Sequence, residues 1–216
     1  MGSPSRRAVV DAVLERYPRT FAQELGLRSL ETPSPLFRLL VMATLMSARI
    51  SAAIALAAAR ALGQEGWNTA GRMADAGWEA RTRVLNRSGY ARYDERTSSM
   101  LGDSAALVLD RYGGDLRRLR DAAERDPGTE RRLLKACKGM GDVGVDISFR
   151  EVQRSWTELA PFADAKALGA ARRLGLGTDA GALHRLAGER FVNLVDGLVR
   201  VALDGAYDEV RQAARA

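Results

Sequence analysis

Two glycines separated by one apolar residue, Gly139-Met140-Gly141, lie between two predicted helices. Glycine lets the chain turn at positive φ and lets the backbone approach a ligand closely. The N–H groups at the start of the second helix would then point outward and form a small site for an anion such as phosphate. Met140 would fold back as an apolar plug. On these residues alone, the segment is either a phosphate-binding hairpin or an ordinary tight turn between two helices.

Four segments resemble, in order and spacing, the helix-hairpin-helix DNA glycosylase superfamily, the endonuclease III-like group. Residues 134–141 match the register of its hairpin, which reads roughly Leu-x-x-Leu-Pro-Gly-Val-Gly. Residues 161–168 resemble the apolar–Asp–small segment that opens a helix about twenty residues later. Upstream, residues 45–49 resemble the Leu-Ser-x-Gln segment of an early helix, and residues 86–92 resemble the Gly-aromatic turn. The resemblance spans roughly residues 36–176.

This resemblance implies a DNA glycosylase of base excision repair, with Asp164 as the essential catalytic carboxylate. Such a group would stabilise an oxocarbenium-like sugar and orient or activate a water molecule. Bifunctional members carry a lysine two residues after the second glycine, where this chain has Val143. Valine offers no nucleophile, so we expect a monofunctional enzyme that uses water. The alternative interpretation of Asp164 is an ordinary helix N-cap.

The resemblance also implies which residues contact DNA. The predicted hairpin contacts are Lys138, Gly139, Met140, Gly141 and Val143. Tyr90 is the predicted wedge that fills the space left by an extruded nucleotide, and Arg92 beside it would hold a phosphate. The alternatives are a core tyrosine that covers the turn and an arginine on a solvated helix face.

Two departures from the family pattern fall where the damaged base and its strand would lie. Arg49 replaces a glutamine and Lys166 replaces a histidine, and these two residues are the predicted base pocket. Because of these two departures, the resemblance does not identify the damaged base that the protein would recognise. Lys166 is also the one lysine with a prospect of Schiff-base chemistry, which needs a neutral amine. The other two lysines of the chain lie in or before the hairpin, where phosphate contact would keep them charged.

Composition restricts the cofactors and favours one class of partner. The chain has 33 Lys and Arg against 27 Asp and Glu, a net charge of +6 that favours a polyanion. The single cysteine, Cys137, excludes a disulfide framework and a four-cysteine iron–sulfur cluster within the chain. The single histidine, His184, argues against a histidine-rich metal site. We expect no cofactor beyond the monovalent cation that, in the family, hairpin backbone carbonyls hold against a DNA phosphate.

The apolar spacing is helical along almost the whole chain, without a convincing alternating strand. We expect an all-α fold of two helical domains with a helix-hairpin-helix motif and a DNA-binding cleft between the domains. Residues 31–150 form the domain that ends in the hairpin, and residues 1–30 with 151–216 form the other. We expect no secretory signal, because no long apolar region follows the basic start, and the apolar stretches are too short to span a bilayer.

From these features we expect a bacterial, cytoplasmic, nucleoid-associated monomer that binds double-stranded DNA containing a lesion. The main rival is a non-catalytic helix-hairpin-helix DNA-binding protein on the same scaffold. A more remote rival is a helical interaction protein whose hairpin is accidental.

Overall fold

The computed structural model describes residues 4–215, and helices supply all of the regular secondary structure in this range. The all-α prediction is confirmed for this part of the chain. No helix among the described residues is long and apolar enough to cross a membrane. The α-helices are, in chain order, α1 (Arg6–Arg16), α2 (Phe21–Glu24), α3 (Pro33–Met46), α4 (Ala52–Gln64), α5 (Ala70–Asp75), α6 (Trp78–Leu85), α7 (Asp94–Tyr112), α8 (Leu116–Ala122), α9 (Pro127–Leu134), α10 (Asp142–Val152), α11 (Ala165–Arg173), α12 (Ala180–Ala187), α13 (Phe191–Asp204) and α14 (Tyr207–Ala213).

The described residues divide into two compact units. The hairpin unit comprises residues 25–148, and the terminal unit comprises residues 4–24 together with residues 149–215. The sequence predicts boundaries at residues 30 and 150, whereas the structure divides at residues 24 and 148. The second division falls inside α10, so this helix starts in the hairpin unit and ends in the terminal unit.

The core of the hairpin unit is built around α3, whose residues from Leu36 to Leu45 are buried except for Arg38. Helix α3 packs against α4, while α5 and α6 pack against α7. Ser51 caps the N-terminus of α4, because its hydroxyl accepts a hydrogen bond from the N–H of Ile54. Helix α7 ends at Gly113, which adopts the left-handed conformation expected of a glycine C-cap.

The start of α7 differs from the prediction. The sequence pattern predicts one helix over residues 90–112, but α7 begins at Asp94. Gly89 has a φ of +84°, which interrupts regular α-helical geometry. A π-helical turn, Asn86–Tyr90, and a 3-10 turn, Ala91–Tyr93, therefore precede α7. The acidic side chains in the first turn of α7 then favour a helix start at this point.

The core of the terminal unit is built around α13, whose residues from Phe191 to Val201 are buried except for Asn193 and Arg200. Helices α1, α11 and α12 all pack against it. A Cβ atom at Gly197 would lie 2.8 Å from Cγ1 of Val13, so glycine permits the close approach of α1. Asp164 begins α11 by accepting a hydrogen bond from the N–H of Ala167.

Candidate nucleic-acid interface

The segment predicted to form the hairpin consists of α9, the turn of residues 135–141, and α10. Within the turn, the N–H of Cys137 donates to the carbonyl of Leu134 at 3.0 Å, and the N–H of Met140 donates to the carbonyl of Cys137 at 3.1 Å. The first helical bond of α10 joins the N–H of Val145 to the carbonyl of Gly141 at 3.1 Å. The N–H groups of residues 142–144 precede that bond, so the helix itself offers them no acceptor. This helix start can attract an anion.

The two glycines of the turn have different roles. Gly139 has a φ of +86°, and a Cβ atom there would lie 3.0 Å from both Sδ of Met100 and Cγ2 of Thr44. Gly141 has no positive φ, and a Cβ atom there would meet nothing within 4 Å. The prediction that both glycines serve positive φ is therefore corrected. The fold requires glycine at 139, whereas Gly141 leaves open space beside the start of α10.

The apolar residues of the turn are buried, as predicted. Met140 is 3% exposed and Cys137 is 1% exposed. A Cβ atom at Gly144 would lie 2.9 Å from Sδ of Met140, so this glycine gives the methionine room to fold back. Burial raises the pKa of the Cys137 thiol to about 11, which keeps the thiol protonated at neutral pH.

Four of the charged side chains around the start of α10 pair with one another. Nζ of Lys135 lies 2.9 Å from Oδ1 of Asp142, and this hydrogen bond lowers the pKa of the carboxyl group. The guanidinium of Arg131 lies 3.7 Å from Asp142 and 2.6 Å from Asp146. Lys138 is exposed and forms no ion pair among the described residues. It is therefore a cation of the turn that is free to meet an external anion.

Val143 occupies the first turn of α10 and is 60% exposed. The position that the resemblance matches to the lysine of bifunctional glycosylases is thus a surface position in this structure. Its side chain carries no amine and can make only apolar contacts.

The structure corrects the wedge prediction for Tyr90. Its side chain is 0% exposed, and its hydroxyl donates to the carbonyl of Leu45 at 2.8 Å. Burial raises its pKa to about 12. A ring without exposed surface cannot stack on a nucleobase, so the core interpretation describes Tyr90. The neighbouring Arg92 is exposed, and its guanidinium lies 5.3 Å from the ring centre of the half-buried Tyr93.

Both carboxylate oxygens of Asp164 are occupied. Oδ1 accepts the N–H of Ala167 at 2.8 Å, and Oδ2 accepts Nη1 of Arg150, so the N-cap interpretation is confirmed. The side chain of Asp164 is only 8% exposed. Arg150 also donates through Nε to Asp196, so one buried cation is shared by two buried carboxylates. The three groups together carry one net negative charge. The catalytic role of Asp164 stays a prediction.

Sequence reasoning missed the buried partners of Asp164. Arg150 and Glu151 interrupt the apolar stretch of α10, and Asp196 interrupts that of α13. Charged residues inside apolar helices are rarely buried unless they are paired. Charges within these apolar stretches were therefore the feature of the sequence that could have indicated buried ion pairs. Burial and the nearby Asp196 raise the pKa of Glu151 well above its ordinary value. Its Oε2 atom accepts a hydrogen bond from the backbone N–H of Ala22 at 3.3 Å.

The predicted base-pocket residues belong to different units. Lys166 is exposed in the first turn of α11, in the terminal unit. Arg49 is exposed in the hairpin unit, where it lines a pocket of about 340 Å³ together with Gly139 of the hairpin. Lys138 and Val143 also belong to the hairpin unit, whereas Asp164 belongs to the terminal unit.

Backbone oxygens of the turn fit the monovalent cation that the resemblance implies. The carbonyl oxygens of Cys137, Lys138 and Gly139 each accept one hydrogen bond within the hairpin unit. Each keeps a second lone pair, which can coordinate a cation. Among residues 4–215, no group of three His, Cys, Asp or Glu side chains is arranged to hold a metal ion.

Comparison with known proteins gives no match. No family model fits the chain, and no curated protein or solved structure is similar to it. The helix-hairpin-helix resemblance thus rests on the four sequence segments.

Proposed function

We propose that this chain binds the backbone of duplex DNA through a helix-hairpin-helix, formed by α9, the turn of residues 135–141, and α10. The observation that carries the proposal is the open start of α10. Gly141 has no neighbour that a Cβ atom would meet within 4 Å, so a phosphate can approach the backbone closely. The N–H groups that follow Gly141 have no helical acceptor and can donate to it. Lys138 adds a charge-assisted hydrogen bond from the turn.

The negative charge of Asp142 would repel an anion bound at this position, but neighbouring cations offset that charge. Its carboxylate is 2.9 Å from Nζ of Lys135 and 3.7 Å from the guanidinium of Arg131. Because those side chains pair with one another, Lys138 is the cation of the turn that remains to contact a phosphate. The monovalent cation, held by the turn carbonyls, would supply a further positive charge between the backbone and the phosphate.

Substitution of the open glycine tests this proposal. Gly141→Val places a branched side chain where the phosphate would approach, and Gly71→Val is the matched control. Neither glycine has a positive φ, and at both an added Cβ atom meets nothing within 4 Å. We expect Gly141→Val to weaken duplex binding by about tenfold or more, the loss of one charge-assisted hydrogen bond. We expect Gly71→Val to leave the affinity unchanged in fluorescence anisotropy.

Salt dependence gives a second measurement. Wild-type affinity should fall with a log–log slope of roughly −0.9 for each phosphate contacted. Lys138→Ala should make this slope shallower by about one contact. Affinity that is independent of salt, or equal effects of the two glycine substitutions, would contradict the proposal.

A second candidate function is base excision by a monofunctional DNA glycosylase. The observation that favours it is the place of Asp164 at the N-cap of α11, where the resemblance requires the catalytic carboxylate. The lysine position of lyase members holds Val143, which cannot form a Schiff base. The rival, a non-catalytic DNA-binding protein, is favoured by the buried contact between Asp164 and Arg150.

In this proposal Asp164 acts as a fixed negative charge, because both of its oxygens already accept hydrogen bonds. Sharing Arg150 with Asp196 leaves one negative charge on the three groups. That charge would stabilise the oxocarbenium-like sugar as the N-glycosidic bond breaks. The base leaves with the electron pair of the C1′–N bond, water adds to C1′, and the proton that the water loses balances the one that the base takes up.

A panel of duplexes carrying uracil, oxidised, alkylated or mismatched bases tests the enzymatic proposal. Each is scored for abasic sites after alkali and, separately, for direct strand cleavage. We expect the wild-type protein to produce alkali-labile sites on at least one lesion. Asp164→Asn should no longer produce them, whereas Asp126→Asn should. Asp126 is the matched control because it also caps a helix, α9, but is exposed. DNA binding without abasic sites on any lesion would favour the non-catalytic protein.

A further inference from the structure

The terminal unit contains a pocket of about 710 Å³, a volume within the range of small-ligand sites. Its lining comes from the end of α1, from residues 153–160 after α10, and from residues 184–193, where α12 ends and α13 begins. A Cβ atom at Gly188, in the turn between these two helices, would meet nothing within 4 Å. Every lining residue belongs to the terminal unit. We call this cavity the α12–α13 pocket.

The buried wall of the α12–α13 pocket is apolar. Leu14 of α1 and two residues in the first turn of α13, Phe191 and Val192, line it, and all three belong to the core of the terminal unit. The ring of His184 meets Phe191 edge to face, with the ring centres 5.2 Å apart, and adds aromatic surface. This wall can bury the apolar part of a ligand.

Arg154 brings to the pocket a positive charge that no carboxylate neutralises. Its Nη2 atom donates to the backbone carbonyl of Glu189 at 3.2 Å and to Oδ1 of Asn193 at 3.4 Å. Both acceptors are uncharged, and Arg154 forms no ion pair with any residue between 4 and 215. These two bonds position the guanidinium group, and its Nε and Nη1 atoms can donate charge-assisted hydrogen bonds to a carboxylate.

The other charged residues of the lining are Arg190 and Glu189. Arg190 already has a carboxylate partner, Asp11, at 3.1 Å. Glu189 is exposed, and its carboxylate has no cationic partner in the described part of the chain. The lining therefore offers one cation and one carboxylate without a partner of opposite charge, beside an apolar wall. A ligand that carries a carboxylate, an ammonium group and an apolar side chain matches all three.

We propose that the α12–α13 pocket binds a small zwitterion with an apolar side chain, the chemistry of an α-amino acid. Arg154 binds the carboxylate, Glu189 binds the ammonium group, and the apolar wall takes the side chain. The inference goes beyond the proposed DNA binding and does not depend on it, because the hairpin turn and the start of α10 belong to the hairpin unit.

A two-dimensional proton–nitrogen NMR titration of the full chain tests the proposal with four probes. L-Phenylalanine carries all three groups, whereas 3-phenylpropionate lacks the ammonium group, phenethylamine lacks the carboxylate and glycine lacks the apolar side chain. We expect L-phenylalanine to bind most tightly and to shift the amide signals of Gly188 and Asn193. Phenethylamine should bind about tenfold more weakly or worse, because it cannot accept the charge-assisted hydrogen bond from Arg154.

Substitutions in the lining locate the bound probe. Arg154→Ala should weaken L-phenylalanine binding by about tenfold or more. Glu189→Gln should weaken it by about twofold to fivefold and leave 3-phenylpropionate binding unchanged. Arg172→Ala is the matched control, since Arg172 is exposed in the same unit but does not line the pocket. Thr157→Trp fills the pocket without a change of charge, and Thr178→Trp is its control at an exposed position outside the lining.

The outcomes distinguish the pocket from the class of its ligand. Binding that is lost in Thr157→Trp and weakened in Arg154→Ala, but kept in both controls, would support the proposal. Equal affinities for L-phenylalanine and 3-phenylpropionate would overturn the zwitterion as the ligand class. A failure of all four probes to bind, or shifts confined to the hairpin unit, would overturn the pocket itself. Circular dichroism checks that each variant folds, and the two tryptophan variants carry the test if Arg154→Ala does not.

Discussion

Replacement of Asp164 by asparagine separates the structural role of this residue from its proposed catalytic role. Asparagine keeps an oxygen that can accept the N–H of Ala167, and it is as good an N-cap as aspartate. The substitution removes the negative charge that accepts a hydrogen bond from Arg150. Arg150 is 2% exposed, so water cannot replace the missing partner.

The expected loss of stability follows from what Arg150 retains. Breaking a buried ion pair by removing one partner costs about 3–5 kcal/mol when the other charge is left alone. Here Arg150 keeps Asp196, so the charge stays compensated. The remaining loss is one hydrogen bond to a charged group, about 1.5–3 kcal/mol. We therefore expect Asp164→Asn to lower the free energy of unfolding by about 2 kcal/mol, which for a chain of this size lowers Tm by about 4–8 °C.

Urea and thermal unfolding followed by circular dichroism measure this difference. Asp126→Asn is the control, because Asp126 caps α9 through Thr129 but lies exposed, without a buried cation. We expect little change in its unfolding. If Asp164→Asn were as stable as wild type, the contact with Arg150 would contribute nothing and the reasoning would be refuted. A loss of base release without any loss of stability would favour a mainly catalytic Asp164.

Three further measurements test other parts of the structure. Burial raises the pKa of Glu151, so above the ordinary glutamate pKa the folded protein holds a proton that the unfolded chain releases. The free energy of unfolding should therefore fall by up to ~1.4 kcal/mol per pH unit between the ordinary glutamate pKa and the raised pKa of Glu151. Glu151→Gln should flatten this dependence in urea unfolding at pH values above the ordinary glutamate pKa, and parallel pH profiles would contradict it. Tyr90→Phe should cost about 1 kcal/mol by losing the bond to Leu45, with unchanged DNA affinity, and a loss of affinity without a loss of stability would contradict the core interpretation. Borohydride trapping on lesion-containing DNA should give no covalent adduct, and an adduct lost in Lys166→Ala would overturn the monofunctional assignment.

Several local features were predictable from the sequence. Ser51 begins a helix and Gly113 ends one, because capping depends on residues within one helical turn. Met140 folds inward, as expected for an apolar residue between two turn glycines. The sequence pattern did not distinguish the two glycines, since φ at Gly139 and the open space at Gly141 depend on what packs nearby.

Exposure of single side chains was not predictable in the same way. Tyr90 follows a glycine in a turn, a position that suits either a surface aromatic or a core residue. It is buried, and its hydroxyl donates to the carbonyl of Leu45 at the end of α3, far away in the sequence. Tyr93, three residues later, keeps part of its ring at the surface.

Asp164 makes one contact that the local sequence predicts and one that it does not. Its helix-capping bond to Ala167 is local, three residues away, so an aspartate before α11 could be predicted to cap it from the neighbouring residues alone. Its ion pair with Arg150, and the sharing of Arg150 with Asp196 from α13, join segments 14 and 46 residues apart. These contacts could not be predicted in that way, because the pairing of buried charges depends on which helices pack together. The local backbone conformation does not determine which helices pack together.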